Sequence, residues 1–160
     1  MKAAVFSDTH SSTARMVEAV RRSRPDLIIH LGDYVQDTAI LWREFPETPL
    51  YNVRGNCDLY SSAPLADVVP LGPVKAYICH GHLLGADTGD LSPLVYAAQE
   101  AGAKIAMFGH THRPVIDYTD DVIAVNPGSI SYPRQEGYRP SFVMMELDRF
   151  GDAHFTINYL

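Results

Sequence analysis

Hydrophobic and polar positions alternate in short blocks along the first part of the chain. The run from Lys2 to Ser7 is brief, apolar and stopped by a polar cluster, which predicts a buried strand. Ser12 or Thr13 is placed to cap a helix reaching about Arg22, with Met16, Val17 and Val20 on one face. Pro25 closes that helix, and Asp26 to Leu31 predicts a second strand. A shorter helix is expected over Asp37 to Phe45, after which Pro46 and Pro49 lead into a third strand, Leu50 to Arg54. Val74 to Cys79 predicts a fourth strand, Leu91 to Ala101 a helix, and Lys104 to Phe108 a fifth strand.

The pattern then changes. Val115 to Tyr118, Val122 to Val125, Ser141 to Leu147 and His154 to Asn158 are β-rich runs with no helical pattern between them. Asp120-Asp121 and Arg149 to Asp152, the latter centred on Gly151, predict hairpin turns. A βαβ half followed by a meander predicts two sheets packed face to face, with helices outside. No repeat, low-complexity tract or linker divides the sequence, so one domain over 1–160 is expected.

Composition narrows the choices. With 160 residues, 46% hydrophobic and 20% charged, the chain can build a core without staples, and disordered, collagen-like and coiled-coil readings are excluded. Two cysteines give no disulfide framework. The first ten residues lack the apolar region of a signal peptide, and no apolar run approaches the ~20 residues of a membrane span, so a cytoplasmic protein without a membrane partner is expected. A formal net charge of −6 argues against gripping a long nucleic acid through its phosphates.

The loops after the first five strands carry the chemistry: Asp8-Thr9-His10, Gly32-Asp33, Gly55-Asn56-Cys57-Asp58, His80-Gly81-His82 and Gly109-His110-Thr111-His112. Five of the seven histidines fall there. Ligands bind outside the carboxyl ends of strands in open α/β sheets, so these loops are placed to converge. Carboxylates and imidazoles together suit first-row divalent metals. Asp8 and His10 are expected on one side of an extended segment, as are His110 and His112, because side chains alternate with period two. With Asp33, Asn56 and His80 the set numbers seven residues, more than one tetrahedral ion uses and enough for two ions sharing a carboxylate. Glycines 32, 55, 81 and 109 are expected to let the backbone turn tightly beside the ions.

The order D-x-H, G-D, G-N, H-G and G-H-x-H resembles the calcineurin-like metallophosphoesterases, in particular their small single-domain YfcE-type phosphodiesterase branch, to which the retromer scaffold subunit is also similar. Asn126-Pro127-Gly128-Ser129 resembles that branch's N-P-G-S signature. The resemblance implies an α/β fold, a four-layer α/β/β/α sandwich of two mixed β-sheets flanked by helices. It implies that Asp8, His10 and His112 bind a first metal, that Asn56, His80 and His110 bind a second, and that Asp33 bridges them. Mn2+ is the first expectation for both ions, and Ni2+, Fe, Co2+ and Zn2+ suit the same ligands.

The activity so implied is hydrolysis of small phosphate esters by a metal-bridging hydroxide, with Asp33, Asn56 and His80 as catalytic residues. Two divalent ions, less Asp8, Asp33 and the hydroxide, leave a site of about +1, which outweighs the acidic surface average for an anionic ester. Many family members carry a histidine after the G-N asparagine as proton donor; here Cys57 and then Asp58 stand there, so diesters with good leaving groups are expected to react much faster than alkyl esters. Cys57 reads as a small buried residue beside the site or as one with a catalytic or redox role. Cys57 and Asp58 are the candidates to touch substrate or replace the missing donor, and Cys79 reads as a core residue pointing away from the metals. His82 is expected to orient a ligand or touch substrate, and Arg134 to clamp a phosphate or to lie solvated on the surface. His30 reads as a packed core histidine and His154 as exposed. The rival readings are a catalytically weak protein-interaction scaffold of the same fold, a nuclease or protein phosphatase, and a non-catalytic metal-binding module. A homo-oligomer is compatible with all of them.

Overall fold

The computed structural model describes residues 1–118 and 121–160; Asp120 of the expected Asp120-Asp121 turn lies outside the described residues. In chain order the elements are β1 (Lys2–Phe6), α1 (Thr13–Ser23), β2 (Leu27–His30), α2 (Ala39–Glu44), β3 (Leu50–Asn52), β4 (Ala66–Leu71), β5 (Val74–Cys79), α3 (Ser92–Glu100), β6 (Ile105–Met107), β7 (Pro114–Asp117), β8 (Ile123–Pro127), β9 (Ser141–Leu147) and β10 (Ala153–Tyr159). They build two mixed five-stranded sheets, ordered β10-β9-β1-β2-β3 and β4-β5-β6-β8-β7. In the first, β1, β2 and β3 run parallel and β9 antiparallel to β1; in the second, β5, β6 and β8 run parallel between antiparallel edges.

The period-two alternation of buried strands separates three apolar clusters and so makes the layers. Ala3 and Val5 of β1, with Leu27 and Ile29 of β2, face Ala76 and Ile78 of β5 and Ile105 and Met107 of β6 between the sheets. The opposite residues, Ala4, Phe6 and Ile28, pack on Met16, Val17 and Val20 of α1 and Leu41 of α2. On the far side, Cys79, Ala106 and Ala124 pack on Leu94, Val95 and Ala98 of α3. Removing a Leu, Ile, Val, Phe or Met side chain from water contributes roughly 1.5–3 kcal/mol, and strands buried on both faces collect that on each. The result is the expected α/β/β/α sandwich.

Three expectations need correction. The halves of the sequence are not the two sheets: β9 and β10 return to pair beside β1, because the two-sided burial of β1 leaves its free edge needing a strand. β4 was unexpected, since Pro70 and the nearby Pro64 and Pro73 break the strand pattern; it lies at a sheet edge, where a missing N–H is tolerated. The helix expected from Asp37 is instead a 3-10 turn, Val35–Thr38, followed by α2. Ser12 occupies the α1 N-cap, but its side chain makes no capping bond among the described residues. The turn at Gly151 is as expected, with Asp148 Oδ1 accepting the N–H groups of Phe150 and Asp152. Among the described residues no helix is long and apolar enough to cross a membrane.

Candidate metal centre

Each parallel strand delivers a polar residue at its carboxyl end, and these ends meet between the sheets. Asp8 follows β1, Asp33 follows β2, His80 follows β5, and His110 and His112 follow β6. Asp8, Asp33, His80 and His112 are buried, while His10 and His110 are half-buried. One ligand atom from each of Asp8, His10, Asp33 and His112 lies within 4.8 Å of every other. His80 Nε2 stands 3.4 Å from Asp33 Oδ1 and 3.9 Å from Asp8 Oδ1, and the His110 ring lies 5.2 Å from the His80 ring. Asn56 is outside the cluster: it is exposed, and its amide donates to Cys57 Sγ at 3.6 Å.

Hydrogen bonds on the far side of the rings decide what the near side can do. His80 Nδ1 is 2.7 Å from the Leu31 carbonyl, and His112 Nδ1 is 2.6 Å from the Tyr132 carbonyl. A carbonyl only accepts, so Nδ1 carries the proton in both rings and Nε2 of the neutral imidazole offers a lone pair. Those lone pairs face carboxylates: His112 Nε2 lies 3.0 Å from Asp8 Oδ1. Among the described residues Asp8 Oδ1, His10 Nε2 and His80 Nε2 are buried without a hydrogen-bond partner. Acceptors converging on one point repel unless a proton or a metal cation lies among them. The donor set therefore fits a divalent metal, and the carbonyl partners fix each ring as metal-binding histidines are usually fixed.

Protons report the same field. Burial works to lower the His80 pKa, but Asp33 and Asp8 outweigh it and raise it. Burial likewise works to raise the Asp8 and Asp33 carboxyls, yet the facing histidines, joined at Asp33 by the Cys57 N–H, hold both below the ordinary carboxylate range. His10 and His110 are lowered, chiefly by burial.

The ligand pairs do not sit on extended backbone, as alternation had predicted. Asp8, His10, Asp33, His110 and His112 have φ of 54°, 40°, 56°, 67° and 57°, the left-handed region. Asp and His enter that region more readily than most residues, and such conformations gather where surrounding structure imposes them. The D-x-H and H-x-H spacing thus brings two side chains together through tight turns. Gly55 serves by close approach: a Cβ there would fall on Asp33 Oδ1 and on the Asp33 backbone.

The imposing structure lies beneath. Ser129 Oγ donates to the Asp8 carbonyl at 2.8 Å and accepts the N–H groups of Ser131 and Tyr132. Asn126 Nδ2 donates to the Gly109 carbonyl and to Thr111 Oγ1, while its Oδ1 accepts the Gly128 N–H. The N-P-G-S turn therefore holds the Asp8–His10 loop and the His110–His112 loop. A second group went unread in the sequence. The Gly32 N–H donates to His30 Nδ1, so His30 Nε2 faces Thr9 Oγ1 as a donor, and Thr9 Oγ1 donates to Asp37 Oδ2 at 2.7 Å. Asp37 also accepts the Ser11 N–H, so this chain ties the Asp8 loop to the Asp33 loop. Its bonds from Thr9 and Ser11 span 21 to 28 residues, and the polar character of His30 inside an apolar run was the one available signal.

The outer residues divide. Asp58 is buried and accepts the N–H groups of Val35 and Gly55, which shapes the loop and leaves its carboxylate facing backbone. Cys57 is exposed rather than buried, because the chain leaves β3 at Asn52 and the Gly55 turn lifts it outward; its N–H donates to Asp33 Oδ1 at 2.9 Å. Partial desolvation and the neighbouring Asp33 push its thiol up to about 11. Cys79 packs in the outer cluster, away from the site. The His82 ring stands 5.4 Å from that of His80, with its buried Nδ1 unpartnered among the described residues. Arg134 is exposed; its N–H donates to the His112 carbonyl, and it borders the cavities that open beside His110 and beside His10. His30 is buried and His154 exposed, as expected.

A domain of the calcineurin-like phosphoesterase superfamily matches residues 1–149, and the chain belongs to that superfamily. It is 28% identical to a probable metallophosphoesterase of Mycoplasma genitalium, over 99% of this chain and 95% of the relative. It is 28% identical to the phosphodiesterase YfcE of Escherichia coli, covering 92% and 89%. It is 31% identical to vacuolar protein sorting-associated protein 29 of Schizosaccharomyces pombe, covering 75% and 67%. Among solved structures, a predicted phosphoesterase from Streptococcus pneumoniae superposes with a TM-score of 0.80 at 27% identity, over 99% of this chain and 97% of that one.

Proposed function

We propose that the chain is a metal-dependent phosphodiesterase acting on small phosphate esters. Asp8, His10 and His112 would hold one divalent ion, His80 and His110 a second with Asn56 turned inward, and Asp33 would lie between them. The observation that carries this reading is the pair of imidazoles whose Nδ1 atoms are spent on the Leu31 and Tyr132 carbonyls. That turns Nε2 of His80 towards Asp33 and Nε2 of His112 towards Asp8, with His80 Nε2 and Asp8 Oδ1 left without a hydrogen-bond partner among the described residues. Bound divalent ions supply Lewis-acid polarisation of phosphate and acidification of water. The chain's own contribution is orientation: the carbonyls hold the rings, the Cys57 N–H holds Asp33, and the N-P-G-S turn holds the loops.

The test is to strip the protein with chelator, reload it with Mn2+, Ni2+, Fe2+, Co2+ or Zn2+ in turn, and follow bis-p-nitrophenyl phosphate. Turnover that appears only with metal is expected. A scaffold role is favoured by exposed Leu59, Tyr60 and Leu83 in the loops that bear Asn56 and His80. Metal uptake without turnover on any diester would select that reading, and absence of metal uptake would overturn the phosphodiesterase reading.

A further inference from the structure

Beside the His10–His112 side of the centre lies an open cavity of about 610 Å3, bounded by His10, His112, Tyr132, Pro133, Arg134 and Tyr138. Its two aromatic residues do not serve the core: Tyr132 is 60% and Tyr138 74% exposed. The Tyr132 ring stands edge-on to the His10 ring at 5.2 Å, and Tyr132 supplies the carbonyl that orients His112, so this tyrosine is tied to the centre from both ends. Tyr138 is held at φ 46°, a conformation that is costly for a bulky side chain, by a turn closed through its N–H to the Gln135 carbonyl. Arg134 stands between them in sequence and brings a cation to the same wall.

We propose that Tyr132 and Tyr138 form a subsite for a planar aromatic group on the retained side of the ester, so that the natural substrate is a nucleoside phosphodiester. This rests on the phosphodiesterase reading and adds the substrate class to it. Exposed aromatic faces beside a cation bind bases by stacking, which tolerates any base because each has a π-face. A cavity of several hundred Å3 is the size that receives a drug-sized ligand, and a nucleoside falls in that range. An alkyl or glycerol group would leave both rings unused.

The experiment compares thymidine 5′-p-nitrophenyl phosphate with methyl p-nitrophenyl phosphate, which share a leaving group and differ only in the retained group. In metal-loaded wild type, kcat/KM for the thymidine ester should exceed that for the methyl ester by roughly tenfold. That ratio should fall towards one in Tyr138→Ala and Tyr132→Ala and persist in Tyr138→Phe, which keeps the ring. A second readout needs no turnover: thymidine 5′-monophosphate should bind more tightly than methyl phosphate by calorimetry, and should shift tyrosine ring resonances that Tyr138→Ala removes. Hydrolysis of both esters at equal efficiency, with equal affinity for the two monophosphates, would overturn the subsite while leaving the phosphodiesterase reading intact. Preferential binding of the nucleotide by a protein that hydrolyses neither ester would support the subsite and overturn the activity.

Discussion

His80 Nδ1 lies 2.7 Å from the carbonyl oxygen of Leu31, a bond that joins the end of a strand in one sheet to the end of a strand in the other. The sandwich is thereby keyed to its site, since a shift of one sheet against the other would break the contact that aims His80 Nε2 at Asp33.

Asp33 is the carboxylate on which both sets of histidines converge, with Oδ1 near His80 and Oδ2 3.9 Å from His10. Asp33→Asn keeps the shape and removes the charge. Metal content should fall, and kcat/KM on bis-p-nitrophenyl phosphate should drop by more than the roughly 10- to 100-fold typical of losing a partner outside the ligand set. Elemental analysis alongside kinetics checks this; full activity with normal metal content would refute the bridging role.

Ser129 tests the support beneath the site. Ser129→Ala removes a buried hydroxyl that satisfies the Asp8 carbonyl and two N–H groups, at roughly 1–3 kcal/mol for each buried group left unpaired. Ser131 Oγ also donates to the Asp8 carbonyl, so the cost should fall mainly on the Ser131 and Tyr132 N–H groups. A lower melting temperature and weaker metal affinity are expected together. Loss of stability with unchanged affinity would mean that the turn does not position Asp8.

The ordered D-x-H, G-D, H-G and G-H-x-H motifs whose side chains meet between the sheets are legible in the amino-acid sequence, as are the bounds of β5 and β9, because both depend on local pattern. What the sequence hides is long-range. Nothing near Ser141 says that β9 pairs with β1, and the prolines around β4 hide that a strand is there, although Pro70 fits a strand only at an edge. The left-handed backbone at Asp8 and His110 is unreadable because the bonds imposing it come from Ser129 and Asn126, residues distant in sequence. His30 is recognisable as buried, but its bonds to Thr9 and Gly32 depend on which loop lies above β2.

His30 gives the pH prediction. Its burial is complete and pulls its pKa from 6.5 to about 4, against the opposing charges of Asp8, Asp58 and Asp37 and with the help of His80. Between those values the unfolded chain binds a proton that the native protein refuses, so stability rises with pH there. The contribution is fully present above about pH 6.5 and is lost as pH falls through about 4, worth about 3 kcal/mol across the window. His30→Gln, whose amide can accept from Gly32 and donate to Thr9, should flatten that part of the profile. Urea unfolding of both proteins at pH 7 and pH 4.5 checks it, and identical differences between the two pH values would show that His30 does not titrate on unfolding.

Leaving-group dependence follows from what surrounds Asn56. A histidine after the asparagine would protonate the departing oxygen; here Cys57 has a thiol pushed up to about 11, and the Asp58 carboxylate is engaged by two backbone N–H groups. The thiol holds its proton tightly at neutral pH, and Asp58 faces backbone N–H groups rather than a departing oxygen. General acid catalysis contributes about 10²–10⁴-fold, most where the leaving group is basic. Aryl diesters, whose phenolate departs without a proton, should therefore be cleaved faster than alkyl diesters by at least that factor, and a series of substituted phenyl esters should show a steep dependence on leaving-group pKa. The half-buried His82 is the nearest alternative donor. A shallow dependence in the wild type that turns steep in His82→Ala would assign the acid to His82 and sink the prediction; a steep dependence in both would leave the enzyme a specialist for esters with good leaving groups.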